Sequence, residues 1–145
     1  MDGAALARVC AEAIWADDSA SKQFGIQLIS IEPGHAVLAM TVDERMVNGH
    51  NICHGGFIFL LADSAFAYAS NTYNRRTVAQ HCGITYLNPA RIGDRLTARA
   101  VERQWVGRTG LFDITVNRAD GLPVAEFRGH SRTIKGELIP GLKAD

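Results

Sequence analysis

His54-Gly55-Gly56-Phe57-Ile58-Phe59-Leu60-Leu61-Ala62-Asp63-Ser64-Ala65-Phe66-Ala67-Tyr68-Ala69 is the stretch that decides how this chain folds. From Phe57 to Ala69 it is apolar on every side except at Asp63 and Ser64, and a helix that is hydrophobic all round has to be wrapped by the rest of the protein. The run is too short to cross a bilayer and carries a carboxylate, so it is expected as a buried core helix rather than a membrane span. Residues 54–74 are taken as this central helix, ended by Asn74-Arg75-Arg76.

On its N-terminal side, Asp43 to Cys53 contains Asn48-Gly49-His50-Asn51 and reads as a loop feeding the helix. Before it, Phe24, Ile26 and Leu28 alternate with smaller or polar residues. After a Glu32-Pro33-Gly34-His35 turn, Ala36 to Val42 returns, giving a hairpin. Ser19 to Gln23 is a polar linker. Leu6, Val9, Cys10, Ala13 and Ile14 form one helical stripe, with Asp2 as cap, so an N-terminal helix is placed within residues 1–20 as a lid or brace. On the C-terminal side, Val78 to Leu87 is a strand stopped by Asn88-Pro89. Arg95, Thr97, Arg99 and Arg103 share one face of the next strand, opposite Leu96, Ala98 and Ala100. Phe112, Ile114 and Val116 alternate with Asp113, Thr115 and Asn117. Asp120-Gly121 signals a hairpin turn into a last strand, Leu122 to Ile134. The expected plan is α+β, an antiparallel sheet curled around one long helix, as one domain over residues 1–145.

The totals narrow the function classes. Lys+Arg and Asp+Glu balance at 15 each, so no global field argues for nucleic acid or a membrane as partner. Cys10, Cys53 and Cys82 are widely spaced with no CxxC, which suggests free thiols and a reducing compartment. The N-terminus lacks the basic segment of a signal peptide, and cytoplasm is the expected location.

Two features of the central segment carry chemistry. Asp63 is a carboxylate inside an apolar helix, costly unless something pairs with it or function keeps it there. A structural acid bonded to a neighbouring backbone group is the bland alternative. Gly55-Gly56 opens the helix, where unpaired N–H groups and the positive dipole end lie, and glycine lets a ligand approach the backbone. Together these are the parts of an oxyanion hole. Gly55 and Asp63 are eight residues apart, hence ~12 Å along one helix axis at 1.5 Å per residue. A reacting carbonyl has to lie within about 3 Å of both. Two copies of the helix packed antiparallel about a twofold axis meet that condition, with Gly55 of one chain facing Asp63 of the other.

His54 stands before the glycines as a loop-holding or substrate-touching imidazole. Asn48 is either a turn residue or an orienter of water or carbonyl. Cys53, at a helix start beside a histidine, is a rival nucleophile, although adjacent side chains rarely point at each other. His50, Cys53 and His54 lack an established metal-site spacing, so no metal is expected. Arg95, Arg99 and Arg103 read as a solvated strand face with partners such as Asp113. Arg108, within Val106-Gly107-Arg108-Thr109-Gly110, and Arg128, within Phe127-Arg128-Gly129, sit beside glycines and are candidates for meeting ligand phosphates.

Asn48-Gly49-His50-Asn51-Ile52-Cys53-His54-Gly55-Gly56 followed by Leu61-Ala62-Asp63-Ser64-Ala65-Phe66-Ala67-Tyr68-Ala69 resembles the hotdog-fold acyl-CoA thioesterases, in particular their phenylacetic-acid-degradation (PaaI-type) branch. Ile84-Thr85-Tyr86-Leu87-Asn88-Pro89-Ala90 with Gly93-Asp94, Gly107-Arg108-Thr109-Gly110 and Phe127-Arg128-Gly129-His130-Ser131 agree with it. The resemblance runs from Phe24 to Gly136 and implies the hotdog fold. It implies Asp63 as the catalytic carboxylate, attacking the thioester or activating water. The Gly55 amide would polarise the carbonyl from the partner chain, and Asn48 and His54 would position carbonyl or water. It further implies tetramers built as dimers of dimers, with coenzyme A along the subunit interface and met by Tyr86, Gly107, Arg108 and Thr109. No cofactor is implied beyond the coenzyme A of the substrate. Some relatives hold the water with a serine in the strand after the helix, and here that position is Ala79.

The expected activity is hydrolysis of an aryl-acetyl thioester, such as phenylacetyl-CoA or a ring-hydroxylated form, to free acid and CoA. Phe57, Phe59, Phe66 and Tyr68 are available to line an aryl pocket, though aromatics at this spacing are more often core. A hotdog dehydratase and a non-catalytic acyl-CoA-binding protein are the alternatives, since fold alone does not give activity.

Overall fold

The computed structural model describes residues 1–145. Its centre is helix α3, Gly55–Ser70, lying across a six-stranded antiparallel sheet and touching all six strands. The strands are β1 (Gln27–Glu32), β2 (His35–Thr41), β3 (Thr77–Tyr86), β4 (Arg95–Val106), β5 (Thr109–Arg118) and β6 (Pro123–Thr133), in the spatial order β1-β2-β4-β5-β6-β3. The alternation of the strands turns Leu38, Met40, Leu96, Ala98, Phe112, Ile114 and Phe127 toward the helix, where Ile58, Leu61, Ala65 and Phe66 meet them. Close approach is enforced at Gly129: a Cβ there would lie 2.7 Å from the Phe66 ring. This is the helix-wrapping antiparallel sheet that the alternation and the apolar helix predict. No helix is long and apolar enough to cross a membrane.

Three boundaries differ from expectation. The central helix stops at Ser70, not 74, because polar side chains take over its last carbonyls. Asn71 Nδ2 donates to Ala67 O (2.9 Å) and Thr77 O (3.0 Å), and Thr72 Oγ1 donates to Ala69 O (3.0 Å). Orphan carbonyls satisfied this way end a helix without glycine. The N-terminal segment is two helices rather than one over 1–20: α1, Gly3–Ala16, and α2, Ser19–Gln23, the stretch expected as linker. Asp18 makes the difference. Its carboxylate accepts from Ser21 N (3.1 Å) and Ser21 Oγ (2.6 Å), capping α2, and from Tyr68 Oη (3.1 Å), tying α2 to the central helix. The first strand also begins at Gln27, with Phe24 capping α2 and packing edge-on against Phe57 (5.1 Å between centroids).

The two sheet edges are unlike. β1 is six residues long, bulged between Leu28 and Ser30, and flanked by α1. β3 is ten residues long and exposed along most of its length, Val78 at 46% and Tyr86 at 49%. Long unprotected edges invite pairing with another strand.

Candidate active site

The loop expected over residues 43–53 contains a 3-10 turn, Glu44–Met46, and then delivers the chain to α3 through backbone bonds: Cys53 N to Ala90 O (2.7 Å) and His54 N to Met46 O (2.6 Å). Asn48 holds this loop together, its Oδ1 accepting from His50 N (2.9 Å), while its Nδ2 has no acceptor in the chain. Asn48 is thus a turn residue with a free donor. His54 is the N-cap of α3, in extended conformation (φ −60°, ψ 134°), and its Nδ1 accepts from Gly56 N at 2.9 Å. A ring nitrogen that accepts carries no hydrogen, which leaves Nε2 as the donor of this ring.

Phe57 N donates to His54 O (3.0 Å). The Gly55 amide has no acceptor within the chain, although Cys53, His54, Gly56 and Phe57 all have one. Beside it lies a cleft of about 510 Å³ lined by Asn48, Ile52, Cys53, Gly55, Ile58 and the Tyr86-Leu87-Asn88-Pro89 segment. A free amide at a helix N-terminus, facing an apolar cleft, is suited to an oxygen that gains negative charge. Leu87 to Pro89 read in sequence only as a strand stop; nothing in their residue types signalled that they wall a cleft.

Asp63 lies half-buried on α3, two helical turns further on, and its carboxylate accepts no hydrogen bond in the chain. Burial pushes its acid upward from the ordinary carboxylate range. It faces β3, where burial raises the Cys82 thiol and the Asp63 charge raises it further. Sequence patterning missed this neighbour because Cys82 sits among exposed residues of an edge strand. A half-buried carboxylate with no partner is the arrangement that a purely structural acid would not adopt.

Cys53 is buried, and burial, with a smaller effect of Asp43, pushes its thiol up to about 11. That is opposite in direction to a reactive thiolate. His50 is exposed, and no three His, Cys, Asp or Glu side chains gather as metal ligands do.

The residues expected to meet coenzyme A divide between two ends of the sheet. Tyr86, at the end of β3, donates from Oη to Gly55 O at 2.8 Å. Gly107 and Arg108 form the β4–β5 turn, with Gly107 at φ 60°, and Thr109 opens β5. Thr109 aligns with Arg132, which aligns with Val78, eight strand residues from Tyr86. At 3.3 Å per residue the two groups are ~26 Å apart within one chain. Arg128, the other phosphate candidate, is occupied: its Nε and Nη2 meet Asp113 at 2.7 and 3.0 Å, with Arg103 on the same carboxylate at 3.2 Å. Those bonds hold the Asp113 acid below the usual range. Arg75, Arg108 and Arg132 have no carboxylate partner, and Arg75 lies over the Trp105 and Tyr73 rings.

Known proteins agree with this architecture. A family described as the thioesterase superfamily matches residues 50–125. The acyl-coenzyme A thioesterase PaaI of Escherichia coli K12 is 44% identical over 128 residues, 88% of this chain and 91% of its own. The solved structure of the E. coli PaaI protein from the phenylacetic acid degradation operon superposes with a TM-score of 0.91 at 43% identity, covering 92% of this chain and 97% of that one. A phenylacetic acid degradation protein PaaI of Thermus thermophilus, solved as a mutant, gives 0.78 at 38% identity over 81% of this chain and 100% of its own. A Streptococcus mutans UA159 protein solved with acetyl CoA bound gives 0.73 at 25% identity over 77% and 90%. Sequence identity along most of the chain and superposition over 92% of it lead to the same place: the chain belongs to the thioesterase superfamily, in its PaaI-type hotdog branch.

Proposed function

We propose that this protein hydrolyses acyl-CoA thioesters, with aryl-acetyl-CoA such as phenylacetyl-CoA or its ring-hydroxylated form as substrate. It works as a homodimer whose two active sites are each shared between chains. The observation that carries this is the pair of unsatisfied groups on α3, the Gly55 N–H and the Asp63 carboxylate, too far apart on one helix to act on one carbonyl. The name of the E. coli relative and the acetyl CoA bound to the S. mutans neighbour support the class of substrate.

An antiparallel pairing of β3 with the β3 of a second copy joins the two halves. Helix α3 runs antiparallel to β3, since Gly55 lies at Tyr86, Asp63 at Cys82 and Asn71 at Thr77. The level midway between Gly55 and Asp63 is therefore that of Ile84, which becomes the strand residue facing its own copy across the twofold axis. The same symmetry brings the Gly107–Thr109 turn of one chain toward the Tyr86 end of the other. From the Asp63 level at Cys82, the Val78–Thr109 row is four residues, ~13 Å, away. The chain from a CoA sulfur to its first phosphorus is about thirteen bonds, roughly 15 Å extended. The phosphates thus arrive where Arg108, Arg132 and Arg75 have no acid to neutralise them.

In the shared site the thioester oxygen accepts from the partner's Gly55 N–H. Asn48 Nδ2 and His54 Nε2–H are the further donors for carbonyl or water. Ionised Asp63 takes a proton from water as the water oxygen bonds to the carbonyl carbon. As the tetrahedral intermediate collapses, the C–S electron pair leaves with sulfur, and the proton follows from Asp63 to the thiolate. Direct attack by Asp63 is the other route: its oxygen bonds to the carbonyl carbon as CoA leaves with the C–S electron pair, giving a mixed anhydride that water then opens to the free acid and Asp63. Neither route uses a metal or a resident cofactor. Dimers pair further into tetramers, and the three free cysteines, Cys10, Cys53 and Cys82, suit the cytoplasm.

A thiol-release assay across aromatic and aliphatic CoA thioesters tests the function. Phenylacetyl-CoA or a hydroxylated form is expected to have the highest kcat/KM. Tight binding with no thiol release from any substrate overturns it in favour of an acyl-CoA-binding protein.

A further inference from the structure

The geometry points to Tyr86 as a positioning residue for the amide that polarises the thioester, an inference that rests on the hydrolase function just proposed. The peptide unit between Gly55 and Gly56 is held at both ends. Its carbonyl accepts from Tyr86 Oη at 2.8 Å, and its N–H donates to His54 Nδ1 at 2.9 Å. Neither bond belongs to the helix, so the first turn of α3 is clamped by side chains from the preceding loop and from the edge strand. The unit before it carries the Gly55 N–H, and its carbonyl, His54 O, accepts from Phe57 N at 3.0 Å. With both adjoining planes fixed, the free N–H is held in one orientation beside the cleft that Gly55 lines. Backbone donors aimed in advance contribute most to stabilising a developing oxyanion, because nothing has to reorient during reaction.

Tyr86 also packs against residue 55. A Cβ on Gly55 would lie 2.8 Å from Tyr86 Cζ and Oη and 3.1 Å from Cε1, so the ring rests directly on the glycine. The bond and the contact make different claims, which can be separated. Tyr86 Oη is outside the amide's own hydrogen bond and touches no reacting atom, so its loss affects the chemical step through orientation alone. Because Tyr86 closes β3, the edge strand assigned above to subunit pairing, assembly and amide geometry are mechanically joined.

The test uses Tyr86→Phe, which keeps the ring on Gly55 and removes the hydroxyl. The expected result is a fall in kcat of about tenfold, the worth of one well-made hydrogen bond, with KM within about twofold of wild type. Isotope-edited infrared spectra of a non-hydrolysable ketone analogue of the thioester give a second readout: the carbonyl band, shifted down by the Gly55 amide, moves back up in Tyr86→Phe. A Tyr86→Phe enzyme with wild-type kcat and an unmoved band overturns the role, while a wild type that releases no thiol overturns the function instead. Gly55→Ala, alone and with Tyr86→Ala, addresses the contact. The double variant is expected to be more active than Gly55→Ala alone; equal or lower activity refutes it.

Discussion

Asp63→Asn should make the protein more stable and nearly inactive. The carboxylate is half-buried, accepts no hydrogen bond within the chain and has its acid raised by desolvation. Folding therefore works against its ionisation. For an acid raised on folding, the native state binds the proton more tightly than the unfolded state, so stability is full below the ordinary carboxylate value and declines as pH rises through the native one. Asparagine has the same shape and no charge to desolvate. An unsatisfied buried polar group costs about 1–3 kcal/mol, more when charged; the amide is as unpartnered as the carboxylate, so the gain is only the extra cost of the charge, at most about 1 kcal/mol at neutral pH for a half-exposed group. Against that, losing the group that activates water or attacks carbon should lower kcat by roughly 10²–10⁴-fold, with little change in affinity for coenzyme A. Urea unfolding at pH 7 and pH 4 and steady-state thiol release read the two effects. The gain should shrink at pH 4, where less of wild-type Asp63 is ionised than at pH 7. A variant less stable than wild type at pH 7, or one keeping kcat within a few-fold, refutes the assignment of an unpaired, ionised, reactive Asp63.

Other outcomes follow from the same geometry. Since only ionised Asp63 reacts, wild-type kcat should fall with acid at a midpoint above the ordinary ~3.9 of an aspartate, and a midpoint at or below that value contradicts the burial. Cys53→Ser should leave kcat within about twofold, because a thiol pushed up to about 11 holds almost no thiolate at neutral pH; a loss of several orders of magnitude restores Cys53 as nucleophile. Asn74, at φ 58°, bonds Ile139 O, Leu142 O and Ile139 N through its side chain. Asn74→Ala should cost about 2–3 kcal/mol in chemical denaturation and expose the C-terminal segment to protease; an unchanged midpoint would show that the tail is not anchored there. Ile84→Cys in a Cys82→Ser background should crosslink two chains under mild oxidation, since facing antiparallel residues lie within disulfide reach. Monomer only on a non-reducing gel argues against pairing through β3.

Much of this was legible in the sequence because burial and periodicity agree. The alternation in Leu96-Ala98-Ala100 and Phe112-Ile114-Val116 has one solution in a sheet with one covered face, and an all-apolar helix has one place to go. Asp63 and Gly55 stood out because each is anomalous where it sits. What escaped was set by particular side-chain contacts, some local and some distant in sequence. The end of α3 at Ser70 depends on Asn71 reaching Thr77, and α2 depends on Asp18 reaching Ser21 and Tyr68. Whether an arginine is free is equally invisible: Arg128 and Arg108 both neighbour glycines, yet the register puts Asp113 opposite Arg128 and no acid opposite Arg108. Tyr86 resembles any exposed strand aromatic until the fold lays it on Gly55.

Mixing two inactive variants tests the sharing of sites between chains most directly. Asp63→Ala removes the acid, and Gly55→Pro replaces the amide hydrogen with a ring, at a first helical position where proline is tolerated and after an extended His54, the conformation that precedes proline readily; Tyr86 has to swing aside from the new ring. Refolded together in equal amounts, half of the dimers are mixed and each carries one intact site, so activity per chain should return to about a quarter of wild type. If each parent is inactive and the co-refolded mixture, shown by mass to contain heterodimers, stays inactive as well, the acid and the amide do not meet across a subunit boundary.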